Sequence, residues 1–227
     1  MKQLFDDLHT TVLSALIGFI ASFLTIQVFL ADAATPYNLM KDVAVQINNN
    51  CSGTIIDAEK RYILTAAHCV NNSQPLQNIE KIVYDEEGNE IRRDIFEASI
   101  LRDNENTDVA ILYAETGPEF TSAADVSTEA PKVADQLFIL SNPNAWEYVF
   151  SRGSVMDNYF SEPKYKPVPM MLLSASINPG SSGGGIFNAD GDVIGVVSAK
   201  YGSTNYSLAV LNRYIVQELI DLERSKK

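Results

Sequence analysis

The sequence is poor in the two residue types that most often mark disulfide scaffolds and metal centres. Its 227 residues include only two cysteines, Cys51 and Cys69, and two histidines, His9 and His68. Two cysteines are too few for a disulfide-rich scaffold or for a zinc site of four thiolates. We therefore expect no metal and no cofactor. The chain is long enough to bury a sizeable core, and 46% of its residues are hydrophobic.

Clusters of basic residues are also absent. The chain has 17 lysines and arginines against 29 acidic residues, a net charge of −12, and no stretch rich in Lys or Arg. A nucleic-acid-binding surface needs concentrated positive charge to meet the phosphate backbone. The composition therefore excludes nucleic acid as the expected partner.

Long hydrophobic runs are missing except at the N-terminus. No ionisable residue occurs from Thr10 to Ala31, and the most apolar part, Val12–Leu30, would span about 29 Å as a helix. It is either an uncleaved single-pass anchor or a signal peptide cleaved before Ala34. We favour the anchor, within residues 1–34, with the remainder extracytoplasmic; secretion after cleavage is the alternative.

The rest of the chain, residues 35–227, has the pattern of one all-β domain. Short apolar stretches with a period of two, separated by polar turns, fill residues 42–114 and again residues 132–210. Residues 115–131 are rich in Gly, Pro, Ser, Thr and acidic side chains and are predicted to be a linker. Residues 211–224 carry an apolar stripe at helical spacing and predict a C-terminal helix.

Three short motifs carry residue types suited to nucleophilic catalysis: His68 in TAAHC, Asp108 in DVAIL, and Ser182 in GSSGG. A serine hydroxyl is a weak nucleophile that needs a neighbouring base and donors for the oxyanion. A lone His, a turn Asp or a Gly/Ser loop is each commonly structural. Their order, at separations of 40 and 74 residues, is hard to assemble by chance and favours catalysis.

These motifs resemble those of the chymotrypsin-like serine proteases. The resemblance implies a double six-stranded β-barrel with a C-terminal helix. It also implies that His68 is the base, Asp108 its orienting partner and Ser182 the nucleophile. The backbone N–H groups of Gly180 and Ser182 would form the oxyanion hole. Cys51 and Cys69 stand where that superfamily has the disulfide beside its histidine.

Within that superfamily, the second half is similar to the HtrA/Deg proteases. Residues 176–184 (SINPGSSGG) resemble the block around their nucleophile, and residues 207–210 resemble a closing strand. Only 45 residues follow Ser182, so we expect no PDZ domain. The TAAHC motif departs towards the secreted trypsin-like branch. The oligomeric state stays open, and the resemblance allows a trimer.

The resemblance also bears on specificity. Ser176 stands at the base of the pocket for the residue before the scissile bond, with Ser198 and Leu208 as further lining. Because Ser176 is not acidic and no histidine follows His68, specificity for Lys, Arg or Glu is disfavoured. A small or medium apolar residue is predicted there. Ser181 replaces the Asp of trypsin-like zymogens, so activation by an ion pair to a new N-terminus is not available.

The sequence thus predicts a serine endopeptidase that hydrolyses exported or cell-envelope proteins through a His–Asp–Ser triad and an acyl-enzyme. Its partners would be protein or peptide substrates and, through the N-terminal segment, the membrane. An inactive protease fold that serves as a membrane-tethered binding module is the alternative.

Overall fold

The structure, a computed structural model, describes residues 36–70, 73–85 and 87–226. The predicted anchor or signal segment, residues 1–34, lies outside the described residues. Among the helices within these ranges, none combines the length and the apolarity needed to cross a membrane.

The first half of the domain is a closed six-stranded barrel with strand order β1-β2-β3-β6-β5-β4. All neighbours in it pair antiparallel. Apolar side chains from β1, β2, β3 and β6 are fully buried, among them Ile47, Ile55, Leu64 and Ile111. The strands are β1 Ala44–Ile47, β2 Cys51–Asp57, β3 Tyr62–Thr65, β4 Leu76–Tyr84, β5 Glu90–Asn104 and β6 Val109–Ala114.

The second half repeats this architecture, with strand order β10-β11-β12-β9-β8-β7 around the closed barrel. Leu137, Ile139, Met171 and Ile186 fill its interior without solvent exposure. The strands are β7 Gln136–Ser141, β8 Val149–Phe160, β9 Met170–Leu173, β10 Gly185–Phe187, β11 Val193–Lys200 and β12 Ser207–Leu211. Closure of both sheets leaves no open edge in either barrel.

Within the described residues, two α-helices flank the barrels: α1 at residues 36–43 and α2 at Asn212–Ser225. The carboxylate of Glu218 on α2 is almost fully buried, and it accepts hydrogen bonds from Arg102 Nη2 at 2.8 Å and Asn104 Nδ2 at 2.5 Å. These bonds fasten α2 to the end of β5. The two six-stranded barrels and the C-terminal helix confirm the predicted fold class.

Several strands differ in extent from the sequence pattern. The alternating apolar pattern alone predicts separate strands at residues 91–95 and 98–101. In the structure both belong to the 15-residue β5, whose register shifts between Ile100 and Arg102. An irregularity of this kind bends a strand without ending it. The same pattern predicts a first strand over Val43–Ile47, but Val43 is the last residue of α1 and β1 begins at Ala44. Two 3₁₀ turns, Ala67–Cys69 and Pro143–Ala145, follow β3 and β7.

Candidate active site

His68 lies in the 3₁₀ turn that follows β3. Ala67 and Cys69, its neighbours, are buried, whereas the His68 side chain is 43% exposed. Cys69 forms a disulfide with Cys51 at the start of β2, with 5.9 Å between the two Cα atoms. The predicted disulfide is therefore present, and it fixes the turn that presents the imidazole to solvent.

In contrast to the half-exposed His68, the Asp108 side chain is completely buried. It precedes β6 in the left-handed backbone region, with φ of 61°, which Asp tolerates better than most residues. Asn104 builds the turn before it: its carbonyl accepts the Asp108 N–H at 2.8 Å, and its Oδ1 accepts the Asn106 N–H at 3.1 Å. Since Asn104 also donates to Glu218, helix α2 supports this turn.

The structure brings His68 and Asp108 together. His68 Nδ1 lies 3.0 Å from both carboxylate oxygens of Asp108, and the His68 backbone N–H donates to Oδ1 at 3.2 Å. The Ser198 hydroxyl, on β11, donates to Oδ2. An ionised carboxylate only accepts hydrogen bonds, so this geometry assigns the proton to Nδ1 and leaves Nε2 as the acceptor.

Opposing effects act on the Asp108 carboxyl. Burial alone would raise its pKa, but the hydrogen bond and charge of His68, the Ser198 hydroxyl and the Lys166 ammonium together hold the pKa below its usual value. Asp108 is therefore ionised at neutral pH despite its complete burial, and it can stabilise a protonated imidazole.

The loop that carries Ser182 depends on two glycines. Gly180 and Gly183 have φ of 99° and 83°, values that L-residues rarely adopt. A Cβ on Gly183 would lie 2.1 Å from Thr65 Oγ1 and 2.2 Å from the Ser52 carbonyl oxygen. The loop therefore packs directly against the backbone of the first barrel, where no side chain could fit.

Ser52, on β2, joins the first barrel to this loop. Its N–H donates to the Ser182 carbonyl at 2.7 Å, and its hydroxyl donates to the Gly180 carbonyl at 2.8 Å. The same hydroxyl accepts the Asn142 N–H at 2.9 Å. One buried serine thus aligns the nucleophile loop with the barrel that carries His68.

The Ser182 hydroxyl donates to the Ser198 carbonyl at 3.3 Å. Among the residues described, no hydrogen bond joins Ser182 Oγ to His68. In that same part of the chain, the N–H groups of Gly180 and Ser182 donate to no acceptor, so both are available to a ligand. Ser198 therefore contacts both the predicted nucleophile and the buried carboxylate.

Ser181 takes part in uncharged contacts only. It is 1% exposed, and its Oγ accepts the Ser141 hydroxyl at 3.1 Å and the Asn178 N–H at 3.3 Å. Its own N–H donates to the Asn178 carbonyl at 2.9 Å. Hydroxyl and backbone hydrogen bonds hold this position, where trypsin-like zymogens are expected to use an ion pair.

The residues predicted to line the specificity pocket are not all in one place. Ser176 is exposed and lines a small cavity of about 110 Å³ together with Asn178, Lys200 and Tyr206. Leu208 is fully buried in β12, and Ser198 contacts Asp108. Neither of these two lines that cavity.

Possible metal ligands cluster once within the described ranges. Ligand atoms of Cys51, His68 and Cys69 lie within 4.8 Å of one another. The disulfide consumes both thiolates, which are the groups that would bind a metal. The cluster therefore offers a single ligand, the imidazole.

Sequence reasoning missed three residues at this site: Ser52, Asn104 and Lys166. Lys166 Nζ lies 3.3 Å from Asp108 Oδ1 although 58 positions separate them. Asn104 gave a detectable signal, because Asn-rich turns favour side-chain hydrogen bonds to the backbone. Ser52 and Lys166 carry no such signal in the sequence, since their contacts form only when the two barrels pack together.

Comparison with known proteins identifies the family of this chain. The family model of the trypsin-like peptidase domain matches residues 51–196. The chain belongs to this family. The match includes both cysteines, His68, Asp108 and the loop of Ser182, and it confirms the resemblance found in the sequence.

Proteins similar in sequence to this trypsin-like peptidase domain include Deg proteins. The periplasmic pH-dependent serine endoprotease DegQ of Escherichia coli is 27% identical over 184 residues, covering 78% of this chain and 38% of DegQ. The serine endoprotease DegS of Haemophilus influenzae is 28% identical over 167 residues, covering 73% of this chain and 46% of DegS. The chain thus spans less than half the length of either relative.

Solved structures share the fold. The Rv3671c protease in its inactive form has a TM-score of 0.65 at 19% identity, covering 83% of this chain and 92% of that one. The Ser343Ala mutant of Rv3671c, from M. tuberculosis, is also among the similar structures. The serine endoprotease from Yersinia pestis has a TM-score of 0.62 at 20% identity, covering 84% and 68%.

Proposed function

We propose that this protein is a serine endopeptidase in which Ser182 is the nucleophile, His68 the general base and Asp108 the group that orients the imidazole. The observation that carries the proposal is the 3.0 Å contact of His68 Nδ1 with a fully buried Asp108. It leaves Nε2 without the proton and so able to accept one during the reaction.

In the reaction, the Ser182 hydroxyl turns from the Ser198 carbonyl towards His68 Nε2 and attacks the scissile carbonyl as its proton moves to the imidazole. Asp108 stabilises the resulting imidazolium. The N–H groups of Gly180 and Ser182 receive the oxyanion, and removal of one such donor costs about 3–4 kcal/mol elsewhere. His68 then protonates the leaving amine, and water resolves the acyl-enzyme.

For the substrate, we propose a small or medium apolar residue before the scissile bond. The cavity beside Ser176 holds about 110 Å³, too little for a large aromatic side chain. Its rim includes Lys200, whose positive charge disfavours Arg and Lys in addition to the missing acid at Ser176. A peptide library that varies this position tests the preference, and strong cleavage after Arg or Lys would contradict it.

We also propose an extracytoplasmic location, with segments of envelope proteins as substrates. Two observations support it: the Cys51–Cys69 disulfide, which persists in oxidising compartments, and the periplasmic location in the names of DegQ and other relatives. Whether residues 1–34 anchor the chain or are cleaved stays a prediction; N-terminal sequencing of protein from membrane and soluble fractions separates the two.

The deciding experiment is cleavage of an unfolded protein by the full chain beside Ser182→Ala. Wild type should digest the substrate, and the variant should lose activity by several powers of ten. Ser161→Ala, at an exposed serine, should retain most of it. A fluorophosphonate label should modify Ser182 alone. A folded wild-type chain that neither cleaves nor accepts the label would support the binding-module alternative instead.

A further inference from the structure

The mechanism leaves one charged contact of the active site unused. Lys166 belongs to the β8–β9 connection, residues 161–169, in the second barrel. Its Nζ lies 3.3 Å from Asp108 Oδ1, and its side chain is only 19% exposed. A partly buried ammonium thus meets the buried carboxylate that also holds His68.

The contact is built into the fold on both sides. Lys166 Nζ donates to the Glu105 carbonyl at 2.9 Å, in the turn that precedes Asp108. The neighbouring Tyr165 hydroxyl accepts the Gly202 N–H at 2.9 Å, and its ring packs against Tyr201 with centroids 5.8 Å apart. The β8–β9 connection is therefore docked on the second barrel while its lysine reaches the first.

We propose that Lys166 is a positioning residue of the active site: its ammonium shares the Asp108 carboxylate with His68 and thereby controls how readily His68 becomes protonated. The inference rests on the proposed function, because it takes His68 as the catalytic base. Among the described residues, no hydrogen bond or ion pair joins Lys166 to the imidazole or to the nucleophile, so we infer that it acts through Asp108.

The electrostatic argument follows from the groups that face Asp108. Among the described residues, two charged or titratable side chains do so: His68 from the turn after β3 and Lys166 from the β8–β9 connection. Ser198 on β11 contributes an uncharged hydroxyl, and Glu105 contributes only its carbonyl to Lys166. Lys166 helps to hold the pKa of Asp108 below its usual value.

The two cations oppose each other across one carboxylate. With neutral His68, Asp108 and Lys166 form a balanced pair. When His68 takes up a proton, its charge is attracted by Asp108 but repelled by the ammonium, and repulsion is strong in a partly buried site. The Lys166 ammonium therefore opposes protonation of the imidazole, whereas Asp108 favours it, and loss of the ammonium should make protonation easier.

The test is the pH profile of kcat/KM for the full chain and three variants on a cleaved peptide. Lys166→Gln should move the acid limb to higher pH by about 0.5–1 unit, which lowers the rate below the midpoint by about three- to tenfold. Lys166→Arg keeps the charge, so the acid limb of its pH profile should match that of wild type. Lys164→Gln, an exposed lysine on the same connection, should also match wild type.

A second readout does not depend on turnover. His68 is one of two histidines in the chain, so its imidazole resonances can be assigned with His68→Gln and titrated by NMR in a Ser182→Ala background. Adding Lys166→Gln should raise the titration midpoint by the same amount. Circular dichroism and thermal melts establish that each variant is folded.

The possible outcomes distinguish failure of the proposed role of Lys166 from failure of the proposed endopeptidase function. A folded Lys166→Gln chain with an unchanged acid limb and an unchanged titration would overturn the inference and leave the endopeptidase intact. A shift reproduced by Lys164→Gln would also overturn it, because a general charge effect would then suffice. Absence of cleavage by wild type would sink the proposed function, whatever the titration shows.

Discussion

The two halves of the active site are held in different ways. The base half, His68 and Asp108 in the first barrel, depends on charge: a fully buried carboxylate is surrounded by an imidazole, a hydroxyl and an ammonium. The nucleophile half, residues 178–185 in the second barrel, depends on backbone shape. Within that segment, glycines at positive φ and backbone hydrogen bonds set the position of Ser182.

The difference follows from what each half must do. A base must exchange a proton, so its surroundings must favour one protonation state over another, and buried charges achieve this. A nucleophile and its oxyanion donors must be aimed, and backbone N–H groups are aimed by dihedral angles rather than by charge. We therefore expect activity to be sensitive, in the base half, to substitutions that change the charge of a side chain but keep its shape. In the nucleophile half, we expect it to be sensitive to substitutions that add side-chain volume.

The largest effect on activity is expected from Asp108→Asn, which changes charge and keeps shape. The amide no longer stabilises the imidazolium and favours the wrong tautomer of His68, so kcat should fall by about 10⁴-fold with the fold retained. Peptide cleavage and a thermal melt measure the two consequences. Asp190→Asn, at an exposed aspartate, is the matched control and should leave both unchanged; a similar loss there would contradict a specific role for Asp108.

Gly183→Ala makes the complementary change, adding volume without charge. The new Cβ would overlap Thr65 Oγ1 and the Ser52 carbonyl, so the melting temperature should drop by several degrees and the activity should be lost. Gly88→Ala is the control, because Gly88 has a similar φ of 87° but nothing within 4 Å of its missing Cβ. Equal destabilisation by both would show that backbone conformation, not the contact between barrels, sets the cost.

Ser52→Ala tests the junction between the two halves. It removes the hydrogen bond to the half-buried Gly180 carbonyl and the acceptor of the buried Asn142 N–H, and an unpaired buried group costs about 1–3 kcal/mol. Because Gly180 carries a proposed oxyanion donor, kcat should fall more than KM rises. Ser154→Ala, which removes a hydroxyl bonded only at the surface, should change neither unfolding nor kinetics. An active, stable Ser52→Ala chain would show that the glycines suffice.

The smallest effect concerns acid stability. The pKa of Asp108 is lowered in the folded protein, so the stability that its ionisation contributes is present above the unfolded value of about 3.9 and lost as pH falls through the folded value. Below about pH 5, the free energy of unfolding of wild type should therefore fall more steeply than that of Asp108→Asn. Urea unfolding from pH 6 to pH 2 measures both slopes; parallel slopes would contradict this sign.

The fold class could be predicted because its signals are local. Period-two apolar stretches and polar turns mark strands wherever they occur, and the motifs around His68, Asp108 and Ser182 add family membership. The merger of two short patterns into β5 could not be predicted, since a bulge inside a long strand has the same local pattern as a turn between two short ones. Whether Ser198 and Leu208 line a pocket was equally hidden, because burial depends on the neighbouring strands.

By itself, the sequence determined the all-β fold class and the candidate triad, because both are encoded by residue type, order and spacing. The Cys51–Cys69 pair followed from the resemblance to the protease family. The tertiary structure alone decided what surrounds the triad: Ser52 at the Gly180 carbonyl, Ser198 and Lys166 at Asp108. These contacts join residues from separate barrels, and no local pattern records which side chains meet there. The physical reason is that electrostatic interactions and hydrogen bonds depend on the distance between atoms in space and not on the separation of residues along the chain.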